Sequence, residues 1–397
     1  MENNTVKQAI VLAAGRGERL YPLTTLRPKV MLPIGNKPIL QYVVEALVAN
    51  DIRNIVIVVG YQQEKVQDYF MSGDNFGASI QYVMQTKQLG TGSALLAASN
   101  HLENQFLVVQ GHNWMAADTI KDLLSANMPT ILVTNKAQGH TRHRSVSVQD
   151  GKVMSFLESP TGTITPWVNT GTYLLDKSIV EHLETELDLP DAINNLINTG
   201  AIINAQPASG IWGDAVYPWD LHTLNGLALS DMNDTTPGNL EQGVVIKGSV
   251  KIGKDSIIRA NSYIVGPVTI GEGCEIGPSV TIFPYTSIGN NVVIEPFTYI
   301  RNCIIGNSVH IGTHSHLTDS VTADAITLGP RFTAKSDFAS VVNDDHLTDI
   351  TTGCVIGDNV SIGANVSIKA GVLLGQGTKI REGNTVAEDI PELSNII

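Results

Sequence analysis

Ala13, Ala14, Gly15 and Gly17 directly follow the apolar run Lys7–Leu12, and Arg16, Arg19 and Lys29 stand among and just after them. Small residues let a triphosphate approach the backbone and take hydrogen bonds from its N–H groups. The cations add charge that stabilises a phosphoryl group as it is attacked. The spacing is neither the Walker A pattern nor the dinucleotide fingerprint. Glycines that merely turn the chain are the alternative, and that reading leaves the three cations unexplained. A second group with chemical potential is histidine. His140 and His143 lie beside Arg142 and Arg144 in TNKAQGHTRHRS, a basic turn that either holds an anion or is simply solvated. His310, His314, His316 and His346 have no diagnostic metal spacing; they read either as a cluster across a subunit seam or as exposed side chains. Trp114 and Met115 read as packing residues.

These groups need a scaffold. Alternating patterns predict strands at Lys7–Leu12, Ile55–Val59, Ile80–Met84 and Phe106–Val109, with helices at Gln62–Tyr69 and Gly92–Ser99. Such alternation builds a mostly parallel sheet covered by helices, and ligands collect at the carboxyl ends of its strands. The glycine loop sits at one of those ends.

The second half of the chain follows another rule. Ile246, Ile252, Ile258, Ile264, Ile270, Ile276, Ile282, Ile288, Ile294 and Ile300 are six residues apart. After an irregular interval the spacing returns at Ile356, Ile362, Ile368, Leu374, Ile380 and Val386. A period of six is neither helix nor free strand, and it predicts a left-handed parallel β-helix whose turns of about 18 residues stack these side chains inward. Val250, Ser256, Ser262, Val268, Cys274, Val280, Thr286, Val292 and Thr298 fill a second inward place. Gly253, Gly271, Gly277, Gly289, Gly306 and Gly312 suit the corners. The polar run between Leu328 and Gly353 reads as an excursion from the coil. The expected organisation is therefore an α/β domain at 1–230, a linker at 231–243 and the β-helix at 244–397.

A net charge of −13 with 16% charged residues argues against nucleic acid and against a basic membrane-binding surface. No run approaches the length of a membrane span and no basic-then-apolar leader opens the chain, so a cytoplasmic protein is expected. Cys274, Cys303 and Cys354 have no metal spacing; Cys274 reads as a packed thiol.

The segment Leu12–Lys29, Gln85 with QLGTG at 88–92, NTGTY at 169–173 and GIWGD at 210–214 together resemble the sugar-1-phosphate nucleotidylyltransferases. The repeat domain is similar to the acetyltransferase half of the bifunctional enzymes that make UDP-N-acetylglucosamine, above all the archaeal type, and the resemblance covers nearly the whole chain. It implies an α/β, Rossmann-like nucleotidyltransferase domain ahead of the β-helix. The reaction it implies is in-line attack by a sugar 1-phosphate on a nucleoside triphosphate, releasing pyrophosphate. By that resemblance Arg19 and Lys29 are catalytic, and Leu12, Ala13, Gly15, Arg16, Gly17, Gln85, Gly90 and Thr91 bind nucleotide. Gly151, Glu158, Asn169 and Thr170 match the sugar pocket, and Asp214 with the residue at 112 matches the site of Mg2+ or Mn2+. Gln85 fits UDP- or dTDP-sugar products, and the coil implies acetyl-CoA between the subunits of a homotrimer or a multiple of trimers.

The chain departs from the family pattern where charge matters most. His112 stands where the family places an Asp, and magnesium prefers oxygen ligands. Ser159 replaces the Lys of Glu-Lys-Pro. In the coil, aligning Asp319 and Ser320 with the archaeal Gly-His-x-Asn-Tyr-x-Gly-Asp-Ser puts Thr313 at the histidine and His316 at the tyrosine, leaving His314 and His316 as the candidate bases. These departures support an alternative: a catalytically impaired relative that binds nucleotide sugar as a regulatory or structural subunit.

Overall fold

The computed structural model describes residues 6–135, 144–157, 167–230, 232, 238–343 and 346–397. Glu158, Ser159, His140, Arg142 and His143 lie outside the described residues, as do 231 and 233–237 of the expected linker; the side chain of His346 is likewise not described. Two compact units result, each discontinuous in sequence. One comprises Met1–Arg16, Pro28–Met31 and Pro38–Asp214, and the other Gly17–Arg27, Leu32–Lys37 and Ala215–Ile397. No helix among the described residues is long and apolar enough to cross a membrane.

The first unit is built on a nine-stranded sheet. Its strands run in the order Ser79–Met84, Asn54–Val59, Gln8–Ala13, Gln105–Gln110, Trp167–Asp176, Thr130–Thr134, Asn204–Pro207, Lys152–Leu157 and Ser145–Gln149. The first four are mutually parallel, with Ala13 beside Val59, Leu12 beside Gln110 and Val59 beside Met84. Every residue of Gln8–Ala13 is buried, as a central strand covered on both faces requires. Helices Ile39–Ala49 and Thr91–Ala97 pack on opposite faces, the first against Val11 and Leu107, the second against Ile10 and Val108. All six expected elements are present within two residues of their predicted ends.

The second unit contains the coil: three parallel sheets of nine, eight and seven strands. Each carries one ladder. Ile264, Ile282 and Ile300 stack in one, Ile252, Ile270 and Ile288 in the next, and Ile258, Ile276 and Ile294 in the third. All nine are essentially removed from water, and burying each stabilises the coil by roughly 2–3 kcal/mol against an exposed side chain. The second inward places are buried as expected, and two of their polar members bond to the next turn: Ser256 Oγ donates to Gly271 O at 2.7 Å and Ser262 Oγ to Gly277 O at 2.9 Å.

Two corrections concern the interval after Ile300. The ladders do not stop there. Ile288 pairs with Ile305 and Ile305 with Thr322, 17 positions on rather than 18, so two successive turns of the coil are one residue short, both on the same side, and the period merely slips. The excursion also begins later than Leu328. Phe332 and Ala334 still pack inward, and only Asp337–Asn343 and His346–Thr352 leave the coil, as an antiparallel hairpin. One face of that hairpin, with Val341 and Ile350, packs on Tyr217 and Trp219. The corner glycines act through space rather than through unusual φ. A Cβ on Gly271 would lie 2.4 Å from Gly289 O of the next turn. The left-handed conformation falls instead on residues such as Asp255, Asn261, Ser279 and Asn291.

The short segments of this unit are bound to the coil by polar contacts. Arg27 Nη2 lies 3.1 Å from Asp324 Oδ2 and also bonds Asp358, whose side chain is buried. Thr25 Oγ1 donates to Glu392 Oε1 at 3.2 Å, and Asn36 Nδ2 donates to Ile288 O at 2.6 Å. Burial raises the Asp358 carboxyl above its ordinary value, while Arg27 opposes that shift.

Candidate functional site

Because four strands run in parallel, their carboxyl ends deliver Ala14–Arg16, Gly60–Tyr61, Gln85 and Gly111–His112 to one edge of the first unit. Backbone bonds tie these loops together. Gly111 N–H donates to Leu12 O at 2.9 Å, Tyr61 N–H to Ala14 O at 3.2 Å, and Gln85 N–H to Val59 O at 2.8 Å. Glycine is required at 60, where a Cβ would meet Gln88 Nε2 at 2.6 Å and Ala14 O at 2.8 Å. The Arg16 guanidinium lies 5.4 Å from the centroid of the Tyr61 ring, a cation–π contact, and the aliphatic end of Lys29 comes within 4.0 Å of a Cβ built on Gly15. Leu12, Ala13, Gly15, Arg16 and Lys29 thus share one neighbourhood. Gly17 and Arg19 belong to the second unit, where Gly17 has φ 76 and Arg19 lies in the single turn Glu18–Leu20.

Gln85 is buried, and its Nε2 donates to Gly90 O at 3.2 Å and to Ser93 Oγ at 3.3 Å. Gly90, at φ 142, precedes helix Thr91–Ala97. On the strand Trp167–Asp176 the register shifts between Asn169 and Tyr173, so NTGTY forms an irregularity rather than a regular ladder. Asn169 Nδ2 donates to Tyr173 Oη at 2.8 Å, Asn169 Oδ1 accepts from Gly171 N–H at 3.0 Å, and Thr170 Oγ1 donates to Leu132 O at 2.8 Å. Burial holds the Tyr173 phenol well above its ordinary value, so it stays protonated. Gly151 sits apart, in the turn joining Ser145–Gln149 to Lys152–Leu157 at the far edge of the sheet; its φ of 73 is what that two-residue hairpin needs.

The ladder between Asn113–Met115 and Trp212–Asp214 pairs Asp214 with Asn113. It brings His112 Nε2 to 3.1 Å from Asp214 Oδ1, both side chains 13% exposed. Asn113 Nδ2 is committed to Thr170 O at 2.6 Å. This pair does not fit magnesium: the ion wants charged or neutral oxygens, and here an imidazole nitrogen lies against the one carboxylate. Among the described residues no group of three or more His, Cys, Asp or Glu side chains is arranged to hold a metal. Trp114 and Met115 are buried packing residues, as expected.

In the coil, His314 Nδ1 lies 2.9 Å from Thr313 Oγ1 and its ring is tilted on Phe297, with centroids 5.0 Å apart. His316 stacks on Tyr299 at 4.7 Å. Partial burial, then Lys335 and Arg301, lower the basicity of His316, which keeps it neutral near pH 7. His310 pairs with Glu295 at 3.0 Å. Arg144, expected in a basic turn, bonds Asp191 at 2.8 Å. All three cysteines are free and buried, and burial pushes Cys303 and Cys354 up to about 12.

Sequence reasoning missed Asp188, whose carboxylate meets Thr91 at 3.0 and 3.1 Å. The only signal was an Asp before Leu-Pro, a helix start.

A nucleotidyl transferase family model matches residues 8–224. Residues 264–346 match a GMPPB C-terminal domain and 353–388 a bacterial transferase hexapeptide of six repeats, which agrees with the left-handed β-helix. The bifunctional protein GlmU of Methanococcus maripaludis (strain C5) is 32% identical over 89% of this chain and 88% of its own length. A glucose-1-phosphate thymidylyltransferase of Streptomyces antibioticus is 30% identical over 71% of this chain and 82% of its own. The solved inositol-1-phosphate CTP transferase from T. maritima shares the fold, with a TM-score of 0.50 and 20% identity across 56% of this chain and 95% of that one.

Proposed function

The chain belongs to the nucleotidyl transferase family, and from that premise we propose that its first unit joins a uridine or deoxythymidine triphosphate to a sugar 1-phosphate, releasing pyrophosphate. The observation that carries this reading is the convergence of Ala14–Arg16, Gln85 and Gly111–His112 at the carboxyl edge of four parallel strands, with Lys29 beside Gly15. In it the backbone of Leu12–Gly15 faces the phosphates, Lys29 and Arg16 neutralise them, and Gln85 with Gly90 and Thr91 holds the base. Asn169 and Thr170, fixed by Tyr173 and Leu132, offer polar groups to the sugar. Family membership implies a nucleotide accompanied by a divalent cation, but His112 against Asp214 is a poor seat for magnesium.

A second reading is favoured by that same 3.1 Å contact: the site binds nucleotide sugar and turns it over slowly or not at all. Exchange of radiolabelled pyrophosphate into nucleoside triphosphate from UDP- and dTDP-sugars, with Mg2+ and with Mn2+, separates the two. Exchange that requires the NDP-sugar supports transfer; nucleotide affinity without exchange supports the binding role; neither removes both. For the coil we propose an acyl-CoA-binding trimer in which His314 or His316 is the base. A monomer in dilute solution, or no acetylation of an amino sugar phosphate by acetyl-CoA, would overturn it.

A further inference from the structure

Helix Leu189–Asn198 opens on Asp188, which has the extended backbone of an N-cap, φ −108 and ψ 138, yet its side chain makes no capping bond to its own helix. An aspartate in that place ordinarily accepts from a backbone N–H two or three residues on. Here Oδ1 reaches a different helix. It accepts from Thr91 N–H at 3.0 Å and from Thr91 Oγ1 at 3.1 Å, while Thr91 Oγ1 accepts from Leu189 N–H at 2.9 Å. Helix Thr91–Ala97 has only Gly90 at its own N-cap and so no side chain to offer. Each helix therefore begins on an oxygen lent by the other.

The two segments touch closely along their length. A Cβ on Gly90 would lie 2.5 Å from Leu187 O and 2.8 Å from Asp188 Oδ1, and one on Gly92 would lie 2.8 Å from Glu186 O. Ser93 N–H donates to Leu187 O at 2.9 Å. The braced segment is the one that holds Gln85, because both partners of Gln85 Nε2, Gly90 O and Ser93 Oγ, lie in it. With its amide hydrogens committed, Gln85 has its carbonyl oxygen left to offer, an acceptor suited to the imide N–H of uracil or thymine.

We propose that Asp188 is a positioning residue: by cross-capping Thr91 it fixes the loop that orients Gln85, and so sets which base the nucleotide site accepts. The inference rests on the proposed nucleotide site and adds to it a selectivity device about 100 residues away in sequence.

The test uses the full chain and measures UTP, dTTP and CTP affinity by calorimetry, the KM for sugar 1-phosphate where turnover exists, and the melting temperature. Asp188→Ala should weaken UTP binding about tenfold and narrow the UTP-over-CTP preference, since a small displacement of a recognition group is costly. The KM for sugar 1-phosphate should stay within about twofold on the same argument, as the loop does not hold the sugar. Asp188→Asn keeps the Oδ1 acceptor and should restore most of the affinity and the preference. Thr91→Val, which loses the hydroxyl but keeps the N–H, should shift both in the same direction by less; if Asp188→Ala does not fold, Asp188→Ser, a good cap for its own helix with too short a reach for Thr91, decides the matter. Unchanged UTP affinity and base preference in Asp188→Ala, with only a lower melting temperature, reduce Asp188 to a scaffold residue and overturn the inference alone. Wild-type protein that binds no nucleotide overturns the proposed function, and this inference with it.

Discussion

The coil and the α/β unit carry information in opposite ways. Along the coil, stability is spread over ladders: Thr322 stands where Ile305 and Ile356 stand in neighbouring turns, two turns lose a residue, a hairpin is inserted, and the stack continues. Each strand needs only a neighbour above and below. At the edge of the α/β sheet, by contrast, a single side chain decides the chemistry a position can offer. His112 sets its imidazole against Asp214, so the position holds what a nitrogen ligand allows and not what a carboxylate would, although the ladder of Asn113–Met115 with Trp212–Asp214 is regular. Repetition tolerates irregularity in shape; at a converging edge a single side chain sets the local charge.

That contrast can be broken by substitution. The largest effect is expected in the converging site: Lys29→Ala should lower pyrophosphate exchange by about 100-fold or more, the scale of losing one preorganised charge at a transition state, while leaving urea denaturation almost unchanged. The reverse pattern is expected in the coil. Ile294→Ala should cost roughly 3 kcal/mol in urea denaturation, because a fully buried ladder residue leaves a cavity. Should Ile294→Ala cost nothing, the ladders are not what holds the stack.

The coil's thiols give a pH-dependent version of the same test. Burial pushes Cys303 and Cys354 up to about 12, whereas a thiol in the unfolded chain ionises near 8.5. The unfolded state therefore sheds protons first as pH rises, so stability is intact below about pH 8.5 and falls above it, by about 2 kcal/mol per thiol at pH 10. A Cys303→Ala, Cys354→Ala protein should show a flatter decline between pH 8 and 10; an identical slope would mean the thiols are not shielded. A smaller change, about tenfold, is expected for His112→Asp: higher magnesium-supported exchange, because a carboxylate replaces an imidazole. No gain would place the limitation elsewhere, as at Ser159. Least of all should follow from Arg259→Gln on the coil surface. Its pairs with Glu241 and Glu275 at 2.7 and 2.8 Å are open to solvent, and no shift in the denaturation midpoint is expected.

The coil was legible because one residue type recurs at a period no other element has. Its slips at Ile305 and Thr322 were not, since a one-residue deletion erases the frame that makes the period visible; the hairpin's limits blurred for the same reason. In the α/β unit the loops could be read from glycines and cations placed after apolar runs. His112 and Asp214 were singled out by motif, but their contact depends on a three-residue ladder that no periodicity announces. Asp188 was invisible as a brace: an Asp before a helix reads as that helix's own cap, and nothing local says that its oxygen serves Thr91 instead.

The Arg27 clasp bears on how freely such chains can be recombined. The coil's interior acid Asp358 has its counter-ion among residues encoded more than 300 positions earlier. A graft of Ala215–Ile397 onto another protein would leave Asp324 and Asp358 facing each other with no guanidinium, and Asp358 would enter that transplant as an uncompensated interior charge or as a neutral acid. To move the coil intact, the stretches Gly17–Arg27 and Leu32–Lys37 have to travel with it.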